Sequence, residues 1–280
     1  MTSPIFDNHV HLHPKGRNVE AVKEFSRAGG THLVLCHLPY EDVPIVDRDD
    51  FLRSYQITLD LAERCRKETT VGVEVTVGPY PVLLLGLSDR HGLLKAVDIM
   101  KGGMEHARDL VAEGRAIGIG EIGRPHFPVS PEIWQASNEI MLYGMELASE
   151  VGCPVVLHTE SATPSSMQEI ASMADQAGLD RSKVVKHYCP PLVLPEENSG
   201  LFPSVLASRP ATTEALQKGT RFMLETDYLD DLQRPGAVMS ITTVPKRTKG
   251  LLQSGVMSEE QAYMIHQKNP ETVYGIEVRE

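Results

Sequence analysis

The sequence predicts an α/β fold, a single (β/α)8 TIM barrel over residues 1–280, on three observations. Eight apolar, β-like runs are spaced along the chain, and most are followed by a helical pattern. Continuous apolar strands between helices mean a parallel sheet covered on both faces. Eight such repeats in about 250 residues fit a barrel. An open doubly wound sheet is the rival. Here, however, the first strand leads into His9-Val10-His11 and not into a Gly-rich phosphate loop, so the dinucleotide reading has no support.

The elements follow in order. Pro4–His9 is the first strand. Val19–Ala28 has helical spacing and stops at Gly29-Gly30, a helix-end signal. Thr31–His37 is apolar and β-like, and Asp50–Lys67 reads as a long amphipathic helix. Thr69–Val77, rich in Val and Thr, is the third strand. Gly78–Gly92, rich in Pro and Gly, reads as a loop insertion. Leu93–Glu113 is helical, although it contains the unfavourable pair Gly102-Gly103. Ala116–Gly120 is the fourth strand. Pro131–Val151 is a helix with its proline in the first turn. Cys153–Leu157 is a buried strand, Pro164–Ala177 a helix ending at Gly178, and Lys183–Lys186 the sixth strand. Pro190–Pro203, with four Pro and one Gly in the notation of its sequence, reads as a second long loop. Ser204–Ala207 is a weak strand, Thr212–Lys218 a short helix, Arg221–Thr226 the eighth strand and Ser258–Asn269 a C-terminal helix.

Bulk composition narrows the function classes. The net charge of −11 gives no global attraction for nucleic acid or anionic lipid. Bound divalent metals would add positive charge locally, so a DNA substrate stays possible in principle. No apolar stretch approaches the roughly 18 residues of a membrane span. The N-terminal Met1–Asp7 lacks a basic segment followed by an apolar core, so no secretory leader is expected and a cytoplasmic location is the default. Cys36, Cys65, Cys153 and Cys189 form no CxxC pair, which argues against a disulfide framework or a zinc ribbon.

Five segments carry metal-ligand residue types at the ends of apolar runs: His9 and His11, Glu121, His158, His187 and Asp227. In a barrel these strand ends face one mouth. His9 and His11 stand two apart, so a strand points both to one side and Val10 to the other. One metal can take both imidazoles. A Glu carboxylate can bridge two metals, which together hold and activate water, and an Asp can accept a proton from it.

These residues carry a resemblance. His9-Val10-His11, Gly120-Glu121-Ile122-Gly123, His158, His187, Glu225-Thr226-Asp227 and the closing Asn269-Pro270-Glu271 resemble the TatD family of metal-dependent hydrolases, in the amidohydrolase superfamily. The likeness is closest to its archaeal-type, TatD-related branch. It implies a distorted TIM barrel with two divalent metal ions at the C-terminal strand ends. Zinc is the first expectation, with Mn, Fe, Co, Ni or Mg as alternatives. By the resemblance His9, His11 and Asp227 hold one metal, His158 and His187 the other, and Glu121 bridges them. Asp227 and Glu121 are the implied catalytic pair. Three departures separate the chain from the TatD nucleases. Val77-Gly78-Pro79-Tyr80-Pro81 stands where they carry Gly-x-His-Pro-His. Arg124-Pro125-His126 follows GEIG in place of Leu-Asp, and Tyr188-Cys189-Pro190-Pro191 stands in place of Cys-Phe-Ser-Gly.

The expected activity is hydrolysis of a phosphodiester, ester, lactone or amide bond by water activated by two metals. A small anionic substrate is expected ahead of DNA. The alternatives are a TatD-type deoxyribonuclease, a non-catalytic metal-binding barrel, and a mononuclear metal lyase or isomerase. Arg124 could clamp a phosphate or carboxylate, or form a loop salt bridge. His126 could contact substrate, or be a plain loop residue. His37, at the end of the second strand, could reach the mouth, or sit buried and hydrogen-bonded. Lys15 and Arg17 could meet an anionic substrate, and Glu74 could support the metal ligands. Lys246, Arg247 and Lys249 read as a solvated face.

Overall fold

The computed structural model describes residues 4–278. Met1, Thr2 and Ser3, part of the N-terminal stretch read above, lie outside the described residues. In chain order the elements are β1 (Phe6–His11), α1 (Val19–Ala28), β2 (His32–Cys36), α2 (Arg48–Glu68), β3 (Gly72–Val77), α3 (Leu83–His91) and α4 (Leu93–Ala112). They continue with β4 (Gly118–Gly123), α5 (Pro131–Val151), β5 (Val155–His158), α6 (Pro164–Gln176), β6 (Val184–Cys189), α7 (Pro195–Asn198) and β7 (Phe202–Leu206). The last are α8 (Arg209–Lys218), β8 (Met223–Glu225), β9 (Tyr228–Leu229), α9 (Thr243–Gln253), α10 (Glu259–Tyr263) and α11 (Asn269–Tyr274).

The strands form one parallel sheet in the order β8-β7-β6-β5-β4-β3-β2-β1-β9. β8 pairs with β7, and β9, two residues further on, pairs with β1. The eighth strand is therefore broken at Thr226-Asp227, and its second half closes the ring, giving a distorted TIM barrel. Asp7 of β1 secures the break, accepting from Thr226 N at 3.0 Å and from Thr226 Oγ1 at 2.7 Å.

Strand alternation sorts side chains into two layers. Leu33 and Leu35 of β2 pack outward against the helices, while Val34 and Cys36 face the barrel interior. On β5 and β6, Val156 and Val185 point inward, so the period of two carries His158 and His187 to the interior as well. In β1 the pairing register shifts between Asp7 and Val10. This irregularity lets Phe6 and His9, three residues apart, both face inward, while Val10 packs outward.

Helix ends follow local chemistry. Asp47 accepts from Asp49 N and Asp50 N in a capping box at α2, and Ser130 caps α5 ahead of Pro131. α5 stops at Gly152, whose φ of 72° suits glycine. Gly102 and Gly103 do not interrupt α4. A Cβ on Gly103 would lie 2.6 Å from the Phe51 ring, so this glycine permits the close approach of α4 to α2.

Three expectations need correction. Gly78–Gly92 is not a plain loop: it holds α3, because Leu84 and Leu87 bury against the core in spite of the intervening Gly86. Pro190–Pro203 contains α7 and the start of β7, and Pro203 sits beside the register shift in the pairing of β7 with β6, an irregularity that tolerates proline. α9 was not expected. Pro245 lies in its first turn, where the missing N–H costs nothing. Among the described residues no helix is long and apolar enough to cross a membrane.

Candidate metal centre

The C-terminal strand ends bring six predicted residues together. His9 Nε2 and His11 Nε2 lie 3.1 Å apart. The Asp227 carboxylate stands 3.5 Å from His11 Nε2 and 4.0 Å from His9 Nε2. Glu121 lies between this group and a second. Its Oε1 is 3.0 Å from His158 Nδ1, 3.3 Å from His187 Nε2 and 3.6 Å from His9 Nε2, and its Oε2 is 3.7 Å from His11 Nε2. The donor atoms of His9, His11 and Asp227 lie within 4.8 Å of one another, as do those of Glu121, His158 and His187. Nitrogen and carboxylate oxygen donors at this convergence suit a divalent cation of the zinc or manganese type.

Backbone geometry aims the ligands. Asp227 has a φ of 48° at the break between β8 and β9, a left-handed conformation that Asp tolerates. Tyr188, directly after His187, has a φ of 50°. Polar partners fix the imidazoles. His9 Nδ1 lies 3.2 Å from Cys36 Sγ, and His11 Nδ1 donates to Cys36 O at 3.0 Å. His187 Nδ1 meets Glu225 Oε1 at 3.0 Å, an oxygen that also accepts from Tyr188 N at 2.8 Å. Glu225 Oε2 accepts from Ser204 Oγ. That hydroxyl accepts from Asn8 Nδ2 at 3.0 Å, and Asn8 in turn accepts from Tyr274 OH at 2.9 Å.

The charges are strongly coupled. Burial and the neighbouring His187 hold His9 well below the ordinary imidazole value. Burial also disfavours charge on His11, but the Asp227 and Glu121 carboxylates outweigh it and hold that ring above its usual value. Burial opposes ionisation of Glu121. His158, His9 and His187 more than compensate and keep its carboxyl well below the usual range. His187 is pushed up to about 9 by Glu225 and Glu121 against the effect of burial.

The three predicted substrate contacts lie differently. Arg124 is fully buried and its guanidinium is spent on protein groups. It forms a two-point ion pair with Glu160 at 2.7 and 3.1 Å and another pair with Glu169 at 2.7 Å. It also donates to Asn138 at 3.1 Å and stacks 4.3 Å from the Trp134 ring centroid. The clamp expectation is corrected accordingly, because the guanidinium is buried among these partners and does not line the cavity. His37 is buried too, with Nδ1 2.8 Å from Thr58 Oγ1 and Nε2 3.3 Å from Ser54 Oγ, so it is held by α2 away from the cavity. His126 is exposed at the mouth, and its Nδ1 lies 2.8 Å from His158 Nε2. Lys15 pairs with Asp42 and Arg17 with Glu24. Glu74 points outward toward Arg66 at 4.0 Å.

Sequence reasoning passed over Glu225, Asp7 and Asp230. Each is a carboxylate in or beside an apolar strand, which is a signal in itself, since a buried carboxylate requires partners. Asp230 receives the backbone N–H groups of His13, Arg17 and Asn18 and so shapes the loop after β1.

A cavity of about 690 Å³ opens onto the cluster, with His11, Glu121, His158, His187 and Asp227 on its floor. Leu38, Pro39, Pro44 and Ile45 form one wall, Val82, Leu83 and Leu87 another, and Leu229 and Val238 a third.

The chain matches the family model described as TatD related DNase over residues 6–275. It is 40% identical over 278 residues to the uncharacterized protein MJ1127 of Methanocaldococcus jannaschii, covering 98% of this chain and 97% of that one. Among solved structures, the TatD homolog YjjV of Escherichia coli superposes with a TM-score of 0.67 at 17% identity, covering 97% of this chain and 98% of that chain. The phosphotriesterase homology protein of Escherichia coli, complexed with phosphate in its active site, superposes with a TM-score of 0.62 at 14% identity, covering 97% and 99%. At those identities the superpositions speak for the fold. The family match over nearly the whole chain places it among the TatD related DNases, a family of metal-dependent hydrolases.

Proposed function

We propose that the protein is a two-metal hydrolase acting on a small anionic substrate. The observation that carries this reading is the position of Glu121, with one carboxylate oxygen toward His158 and His187 and the other toward His11. His9, His11 and Asp227 would hold one divalent cation, zinc first, and His158 and His187 a second, with Glu121 between them. When bound, two such cations supply Lewis-acid charge that lowers the pKa of water and polarises the attacked group.

The chain's own residues do the rest. Asp227 faces the cavity floor and accepts the proton of the attacking water. Glu225 and Cys36 O fix the rotation of His187 and His11, so that their remaining ring nitrogens point at the cluster. The apolar walls exclude water and favour a compact substrate over a polyanion, in keeping with the net charge of −11.

Elemental analysis of metal per chain, run beside His9→Ala and Glu121→Ala, is the first test. About two ions falling in both variants supports the reading, and none after reconstitution overturns it. Asp227→Asn should keep much of the metal and lose most turnover, by about 10²-fold or more. Wild-type rates in that variant would remove Asp227 from the proton path. Cleavage of oligonucleotides in preference to small esters and phosphodiesters would favour the deoxyribonuclease reading that the family description suggests.

A further inference from the structure

The shape and lining of the cavity narrow the substrate class, given the hydrolase reading of the same site. Leu83, Gly86, Leu87 and Arg90 all line it and stand at i, i+3, i+4 and i+7 of α3, so one face of this helix forms a wall. That wall is apolar until its last turn. There Arg90 is exposed, and among the described residues its side chain has no hydrogen-bond or ion-pair partner. Arg234, the other arginine on the rim, is held at 2.7 Å by Asp231. Across the cavity Leu38 and Ile45 complete an apolar channel. A Cβ built on Gly86 meets nothing within 4 Å, so there is room for a larger side chain at that point of the wall. A volume of about 690 Å³ suits a small molecule.

We propose that the α3 side of the cavity binds an aliphatic or aryl acyl group that ends in an oxyanion at Arg90. The substrates are then small esters or lactones of acids that carry a second, remote anionic group. In the reaction, the oxygen of water bonds to the acyl carbon, the acyl–oxygen bond breaks, and the leaving oxygen takes up a proton. A free remote cation explains selection for the anion, and the apolar channel explains selection for length.

The test is calorimetric binding of succinate, adipate and suberate, with the matched monocarboxylates and ω-phosphonocarboxylates, to metal-supplemented protein. It is accompanied by turnover of chromogenic esters of the same acids. Affinity should rise by up to about fourfold per added methylene until the channel is filled. Arg90→Gln should weaken the dianions about tenfold more than the monoanions. Gly86→Leu places its side chain in open space, leaves the fold intact and should erase the gain with length. The carboxylate and phosphonate series show which oxyanion is preferred. Binding that is flat in chain length, or indifferent to Arg90→Gln, overturns the proposal. If the acids bind as expected and no ester is cleaved, the hydrolase reading fails while the pocket assignment stands. If esters or oligonucleotides are cleaved without regard to length or remote charge, the hydrolase reading stands and this proposal fails.

Discussion

Arg124 lies three residues after Glu121 and has the chemistry to grip a phosphate, yet it serves the scaffold. Its partners, Glu160 and Glu169, come from 36 and 45 residues away, a juxtaposition that no local pattern in the sequence encodes. Removing a buried guanidinium leaves those carboxylates and Asn138 without their donor. Arg124→Met should therefore cost about 2–4 kcal/mol, read as a lower urea midpoint with KM unchanged. A stable variant with a raised KM would return Arg124 to the substrate site. The metal cluster was far more legible, because strand parity aims side chains without knowledge of distant partners. His9 and His11 share a side because they are two apart. The Glu225 to Tyr274 chain of hydrogen bonds was not legible, since it joins four separate elements.

Elements were read best where the pattern is long and the ends are capped. α1, α5 and α6 begin as expected, at Val19, Pro131 and Pro164, and end within a residue of expectation. α3 and α9 were hidden by Gly86, Gly250 and Pro245, since propensity argues against each and tertiary burial overrides it. Gly103 in α4 shows the same competition with a measurable sign. Gly103→Ala gains about 1 kcal/mol of helix propensity. It also drives a methyl group to 2.6 Å from the buried Phe51 ring, and overpacking of that kind costs about 1–3 kcal/mol. The steric cost prevails, so the variant should melt below wild type. A higher melting temperature would mean that Phe51 moves aside freely.

For the whole molecule, the fold class followed from eight strand–helix repeats, whereas the broken eighth strand did not, because Thr226-Asp227 reads as the end of a strand and not as a joint within one. The C-terminal helices are held to β1 by His266. Its Nδ1 lies 3.1 Å from Phe6 O and 3.2 Å from Phe6 N, and its Nε2 lies 2.8 Å from Thr248 Oγ1. Burial lowers this imidazole to about 4, below the roughly 6.5 of the unfolded chain. Above pH 6.5 both states are neutral and the full stability is present. As pH falls from 6.5 toward 4 only the unfolded state binds the proton, so stability declines by up to about 3 kcal/mol. Denaturant unfolding at pH 7 and pH 5 should show a smaller acid-induced loss in His266→Asn than in wild type. Equal losses would mean that His266 does not carry the effect.

The break at Thr226-Asp227 also decides how the molecule can breathe. The same few residues complete the ring of strands and present Asp227 to His9 and His11, so any widening of the barrel between β9 and β1 pulls the acid away from the two imidazoles. Closure of the ring and assembly of the ligand cluster are thus one event, and the cavity reaches that cluster past walls made by the loops and by α3.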